Sequence, residues 1–185
     1  MSEQPRPIRV LVIYDSRGET RELARAVLAG IGEVAGAEPW ERPLEEAQKE
    51  DLLVCDALIL GSPNWSGITG KLKDWLDHTG DLWETGELAG KVGGCFTAGW
   101  SRSGGTEATL LQLLHLLLAH GLVFVGLPWS ETMRESGSYY GATAHGEVRA
   151  VDRAQARALG RRVAEVAVRL GKERPSQAGG VDSRA

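Results

Sequence analysis

Three short segments carry residue types suited to holding a phosphorylated, planar ligand. Asp15-Ser16-Arg17-Gly18-Glu19-Thr20 follows a β-branched apolar run and leads straight into a helical pattern. The Ser16 and Thr20 hydroxyls, with the unspent N–H groups of a helix start, form a cradle for a phosphate dianion. Gly18 lets backbone approach closely. The same residues also read as an ordinary capped strand–helix turn. In Ser62-Pro63-Asn64-Trp65-Ser66-Gly67-Ile68 a tryptophan stands among small polar residues. It suits a planar ligand, or packs under its own loop. Ala98-Gly99-Trp100-Ser101-Arg102-Ser103-Gly104-Gly105 exposes backbone N–H groups to the carbonyl and ring-nitrogen atoms of a flat heterocycle. Together the three segments are far more specific than any one alone. Gly-x-x-x-x-Gly-Lys-Ser/Thr is absent, and no Gly-x-Gly-x-x-Gly follows a strand, which argues against an NTPase and a dinucleotide-binding domain.

The elements that must position these segments alternate along the chain. Ile8–Tyr14 reads as a buried parallel strand. A helix follows from about Thr20, with Leu23, Val27, Ile31 and Val34 on one stripe. Ala37–Leu44 is an edge strand marked by Pro39 and Pro43, and Glu45–Asp51 a charged helical turn. Ala57–Gly61 is a strand, Thr69–His78 a helix and Lys91–Ala98 a strand. Gly104–His120 is apolar nearly all round and so should be largely buried; Leu122–Gly126 is the fifth strand. Pro128–Val151 has no clear periodicity, and a loop that long is usually functional. Asp152 caps a last helix whose core stripe is Leu159, Val163, Val166 and Leu170. Such alternation gives a doubly wound five-stranded parallel sheet with helices on both faces, whose ligands bind at the carboxyl ends of the strands.

With 185 residues and 42% hydrophobic content, one domain over 1–172 is expected, followed by a disordered polar tail over 173–185. A net charge of −4, with no basic run, argues against a nucleic-acid backbone as the main partner. Cys55 and Cys95 lie in or beside apolar runs and read as reduced, buried thiols; no metal-ligand spacing occurs. No membrane span or secretory leader is visible, so a cytoplasmic location is expected. His120 closes a helix, where an imidazolium is favoured. His115, one turn after Gln112, reads as half of a structural pair, and His145 has no evident partner. Trp83 either packs its own loop or faces a ligand.

The stretch from Gly61-Ser62-Pro63 to Leu76-Asp77-His78-Thr79-Gly80-Asp81-Leu82-Trp83, with Ala119-His120-Gly121 and Tyr140-Gly141-Ala142-Thr143, resembles the flavodoxin-like proteins of the WrbA type. These are FMN-dependent NAD(P)H:quinone oxidoreductases, and the resemblance runs from Val10 to about Val168. It implies a flavodoxin-like sheet of order 2-1-3-4-5 and one bound FMN. NAD(P)H would be the co-substrate, passing two electrons through flavin N5 to a quinone. Ser16, Arg17, Gly18, Glu19 and Thr20 match the loop around the FMN phosphate. Asn64, Trp65 and Ser66 match the loop against the isoalloxazine ring. Ala98, Gly99, Trp100 and Gly104 match the loop on its pyrimidine side. His120 matches a histidine near the flavin. Trp83 matches a tryptophan that family tetramers set over a neighbouring subunit's flavin, facing substrate. A homo-oligomer, dimer or tetramer, is therefore implied, with the flavin and no side chain carrying the chemistry. Asp15, Arg17 and Trp65 depart from the family pattern, as does a shorter segment between strands two and three. The other function class is an electron carrier with Trp65 and Trp100 flanking FMN and a redox protein as partner; mild acidity disfavours it.

Overall fold

The computed structural model describes residues 6–173. Six strands form one sheet: β1 (Ile8–Tyr14), β2 (Ala37–Pro43), β3 (Ala57–Pro63), β4 (Val92–Gly99), β5 (Val123–Phe124) and β6 (Ala142–His145). The order is β2-β1-β3-β4-β5, with all pairings parallel, as expected. The fifth lane is shared. β5 pairs with Val92 and Gly93 at the start of β4, and β6 pairs with Phe96–Gly99 at its end. The expected strand Leu122–Gly126 is thus cut short. At Gly126 a Cβ would lie 2.1 Å from the Tyr139 carbonyl, and the next N–H, from Leu127, donates to that same carbonyl. The chain leaves the sheet there and returns as β6, inside the segment expected to be aperiodic.

Six helices cover the sheet: α1 (Thr20–Gly32), α2 (Lys49–Val54), α3 (Gly70–Asp77), α4 (Gly80–Thr85), α5 (Thr106–Ala119) and α6 (Ala150–Glu173). Alternate residues of β1 feed two cores. Val10, Val12 and Tyr14 pack with Leu23, Val27, Leu159 and Val163 of α1 and α6. Leu11 and Ile13 pack with Leu52, Leu72, Leu110, Leu113 and Leu117 on the other face. Each such fully buried aliphatic side chain stabilises the fold by about 1.5–3 kcal/mol. α1 and α6 cross closely: a Cβ on Gly160 would lie 2.0 Å from the Val27 carbonyl, and one on Gly30 1.9 Å from that of Arg157.

Four expectations are corrected in detail. The charged turn Glu45–Asp51 becomes the helix Lys49–Val54, because Asp51 accepts from the Gln48 N–H (2.9 Å) and fixes the start there. α5 is not largely buried: Leu110, Leu113 and Leu117 face the core, while Leu111 and Leu118 stay exposed. Asp152 is the third residue of α6, within its first turn, and accepts from the Arg149 N–H just before the helix (2.8 Å). The α6 stripe keeps Leu159 and Val163, but its buried face continues through Ala164 and Ala167, leaving Val166 half-buried and Leu170 exposed. Apart from Glu173, the last residue of α6, the expected tail lies outside the described residues. β2 is an edge strand as expected, with Trp40 held between Arg9 and Arg42 at 5.0 and 4.6 Å.

Candidate functional site

The loops after β1, β3 and β4 meet at the carboxyl edge of the sheet. In the first, Gly18 has φ +58° and open space where a Cβ would stand. No side chain caps α1, since its N-cap residue, Glu19, makes no capping bond. At the first helical residue the Thr20 hydroxyl is buried without any hydrogen-bond partner. An uncapped helix start beside an orphaned hydroxyl fits a phosphate dianion, which would accept from both.

Asp15, which opens this loop, is buried. Its carboxylate accepts from Arg17 Nη2 (2.6 Å), from Arg17 Nε (2.9 Å) and from the Arg17 backbone N–H (3.3 Å). Burial alone would raise the Asp15 carboxyl, but hydrogen bonds from Arg17 and Thr69 outweigh it and hold the group below its ordinary value. Ser16 is turned to one side, its hydroxyl donating to Glu45 at 3.2 Å. Neither Thr69 nor Glu45 was legible as part of this loop, because both are brought to it by other elements.

Trp65 and Trp100 are 73% and 91% exposed and flank a cleft of about 300 Å³, which Asn64, Ser66, Ser101 and Gly104 also line. Packing of Trp65 under its own loop does not occur. Ser66 has φ +60°, rare for a residue with a side chain. Asn64 holds the two loops together: its Nδ2 donates to the Gly104 carbonyl (2.5 Å), and its Oδ1 accepts from the Thr109 hydroxyl (3.0 Å) and the Gly67 N–H (3.2 Å). Ile68 N–H donates to Gln112 Oε1 (2.9 Å), so Gln112 secures the aromatic loop instead of pairing with His115. Ala98 is buried on β4, and its carbonyl accepts from the Asn64 N–H. A Cβ on Gly99 would press Thr106 at 2.8 Å. On the far side of the third loop His145 ends β6, with Nδ1 3.1 Å from the Ser101 carbonyl. Burial holds its imidazole below the usual value. The signal for this contact was the Tyr140–Thr143 match just before it.

Two of the sequence-chosen residues stand apart. α5 runs fourteen residues away from the third loop before His120, which puts that histidine about 21 Å along the helix from Gly105. The following residues pair with the opposite end of the sheet: Gly90 N–H donates to the Gly121 carbonyl, and Val123 lies opposite Val92. A cofactor at the carboxyl edge of the same chain is therefore out of reach of His120. Burial also lowers its pKa, against the imidazolium expected from the helix end, and its Nδ1 is buried without a partner. Trp83 is exposed on α4 and does not line the cleft. Cys55 and Cys95 are buried free thiols, both raised by desolvation, Cys55 to about 11. Among the described residues no cluster suited to a metal ion occurs, and no helix is long and apolar enough to cross a membrane.

This chain is 39% identical to an NAD(P)H dehydrogenase (quinone) of Archaeoglobus fulgidus, over 88% of this chain and 98% of that one. It is 37% identical to a flavodoxin of Aquifex aeolicus, over 85% of each. Its fold is similar to that of a flavodoxin, WrbA-like protein from Agrobacterium tumefaciens, with a TM-score of 0.69 and 28% identity over 87% and 97% of the two chains. Residues 8–131 match the family described as NADPH-dependent FMN reductase, and the chain belongs to that family.

Proposed function

We propose that this chain is an FMN-dependent oxidoreductase, one flavin-binding unit over residues 1–172, that passes two electrons from NAD(P)H to a quinone-like acceptor. The overall reaction is NAD(P)H plus quinone plus a proton giving NAD(P)⁺ plus hydroquinone. The observation that carries the reading is the open cleft between Trp65 and Trp100, at the same carboxyl edge of the sheet as a helix start with an orphaned hydroxyl. Relatives named as NAD(P)H dehydrogenases (quinone) support it.

When bound, FMN supplies a ring able to take hydride at N5 and pass electrons on. The rest falls to the chain. Gly18 and the start of α1 receive the phosphate, with Thr20 donating its hydroxyl. Trp65 and Trp100 bound the ring, and Asn64 sets the gap between their loops. Trp83 and His120 serve only through a second copy, since neither belongs to the cleft of its own chain. The working protein is then a homo-oligomer, and we place it in the cytoplasm. NADH- or NADPH-dependent reduction of benzoquinone by the FMN-loaded chain, abolished in the FMN-free chain, is the direct assay.

A second reading, an electron carrier, draws on the same pair of tryptophans. Two aromatics closing over both faces of the ring would block a hydride donor and leave exchange with a redox-protein partner.

A further inference from the structure

The first loop contains an ion pair that the phosphate cradle does not by itself require. Asp15 is 1% exposed, and a buried carboxylate beneath a phosphate site would repel a dianion. Arg17 is the sole cation among residues 15–20. Two carboxylates oppose it, Glu19 in the loop and Glu45, which reaches the loop through Ser16, while the next arginine, Arg21, lies in the first turn of α1 beyond Thr20. Arg17 spends Nε and Nη2 on Asp15, while its Nη1 makes no hydrogen bond among the described residues. About half of the side chain is exposed, with Nη1 unspent, at the loop that holds Gly18 and the orphaned Thr20 hydroxyl. A planar guanidinium can hold a carboxylate with one edge and an anionic oxygen with another, which an ammonium cannot do.

We propose that Arg17 is a cation shared between the buried Asp15 carboxylate and the phosphate of the bound flavin, so that this pair selects FMN over riboflavin. This rests on the FMN reading above. Asp15 keeps the guanidinium folded over the loop in advance of binding. Arg17 in turn cancels the charge that would otherwise oppose the phosphate. Arg17 thus binds the phosphate directly and Asp15 positions Arg17, so both serve the phosphate end and not the ring.

The test compares FMN and riboflavin affinities of the full chain by quenching of flavin fluorescence. Arg17→Ala should weaken FMN binding by on the order of 30-fold, the worth of a charge-assisted hydrogen bond, and leave riboflavin within about 3-fold. Arg17→Lys should restore part of the loss, because it keeps charge without the fork. Asp15→Asn placed on Arg17→Ala should also recover part of the FMN affinity, since the uncompensated carboxylate is then gone. Equal weakening of FMN and riboflavin would overturn the proposal in favour of a purely structural loop contact. So would an Arg17→Ala protein that binds FMN as the natural chain does. A natural chain that binds neither flavin would instead overturn the FMN reading and this proposal with it.

Discussion

The Asn64 amide donates a 2.5 Å hydrogen bond to the carbonyl of Gly104, forty residues away, and so joins the loop bearing Trp65 to the loop after Trp100. The Thr109 hydroxyl and the Gly67 N–H both donate to its Oδ1, so that oxygen is fully engaged inside the protein. Asn64 thus sets the width of the cleft and keeps one Nδ2 hydrogen for a ligand there. Asn64→Ala should lower stability by about 1–3 kcal/mol, or roughly 2–12 °C in Tm. It should also weaken FMN binding by about 10-fold as the gap loosens. Thermal melting and a fluorescence titration check the two effects separately.

The α1–α6 crossing gives a prediction remote from the site. Gly160→Ala puts a methyl 2.0 Å from the Val27 carbonyl, and backbone cannot swing aside as a side chain can. The helices must separate, at a cost of about 1–3 kcal/mol or more. Denaturant unfolding should show this loss while FMN affinity of the folded protein stays unchanged.

His120 makes stability depend on pH. Burial depresses its folded-state pKa below the ordinary 6.5. As pH falls through that ordinary value, the unfolded chain takes up a proton that the folded chain resists, so stability drops on acidification. His120→Gln should flatten the fall of Tm between about pH 7 and pH 5. A slope identical to that of the natural chain would show that other groups set it.

Trp83 separates a monomer from an assembly. If it serves a flavin held by another copy, Trp83→Ala should leave FMN affinity intact and lower kcat/KM for quinone by about 3–10-fold, the scale of one aromatic contact. Size-exclusion chromatography should show more than one chain per particle. A monomeric enzyme with full activity in Trp83→Ala would remove Trp83 from the account.

The strands of the sheet and the loops that leave them were legible because they rest on local pattern, while the strand order followed from the family resemblance. Apolar runs such as Ile8–Tyr14 name the strands, and any loop leaving such a strand lies at the carboxyl edge. What escaped depended on distant partners. β6 is Ala-Thr-Ala-His, with no apolar run of its own; it becomes a strand because β4 offers it an open edge beyond Gly93. Leu111 and Leu118 carry the same residue type as Leu110 and Leu117, so composition could not tell the buried face of α5 from the exposed one. His120 matched a family position in sequence, but the direction of α5 takes it to the other end of the sheet. The Asn64–Gly104 bond and the Glu45 contact to Ser16 likewise join residues that only the folded chain brings together.

Whether Trp65 and Trp100 leave the flavin open to a hydride donor decides the central claim. The direct measurement is anaerobic mixing of the FMN-loaded chain with NADH or NADPH while the absorbance of oxidised flavin is followed, then addition of benzoquinone. Rapid bleaching by at least one nucleotide is expected, with full return of the absorbance when quinone is added. No bleaching by either nucleotide, in a protein whose flavin dithionite reduces completely, would contradict it and leave the carrier reading in its place.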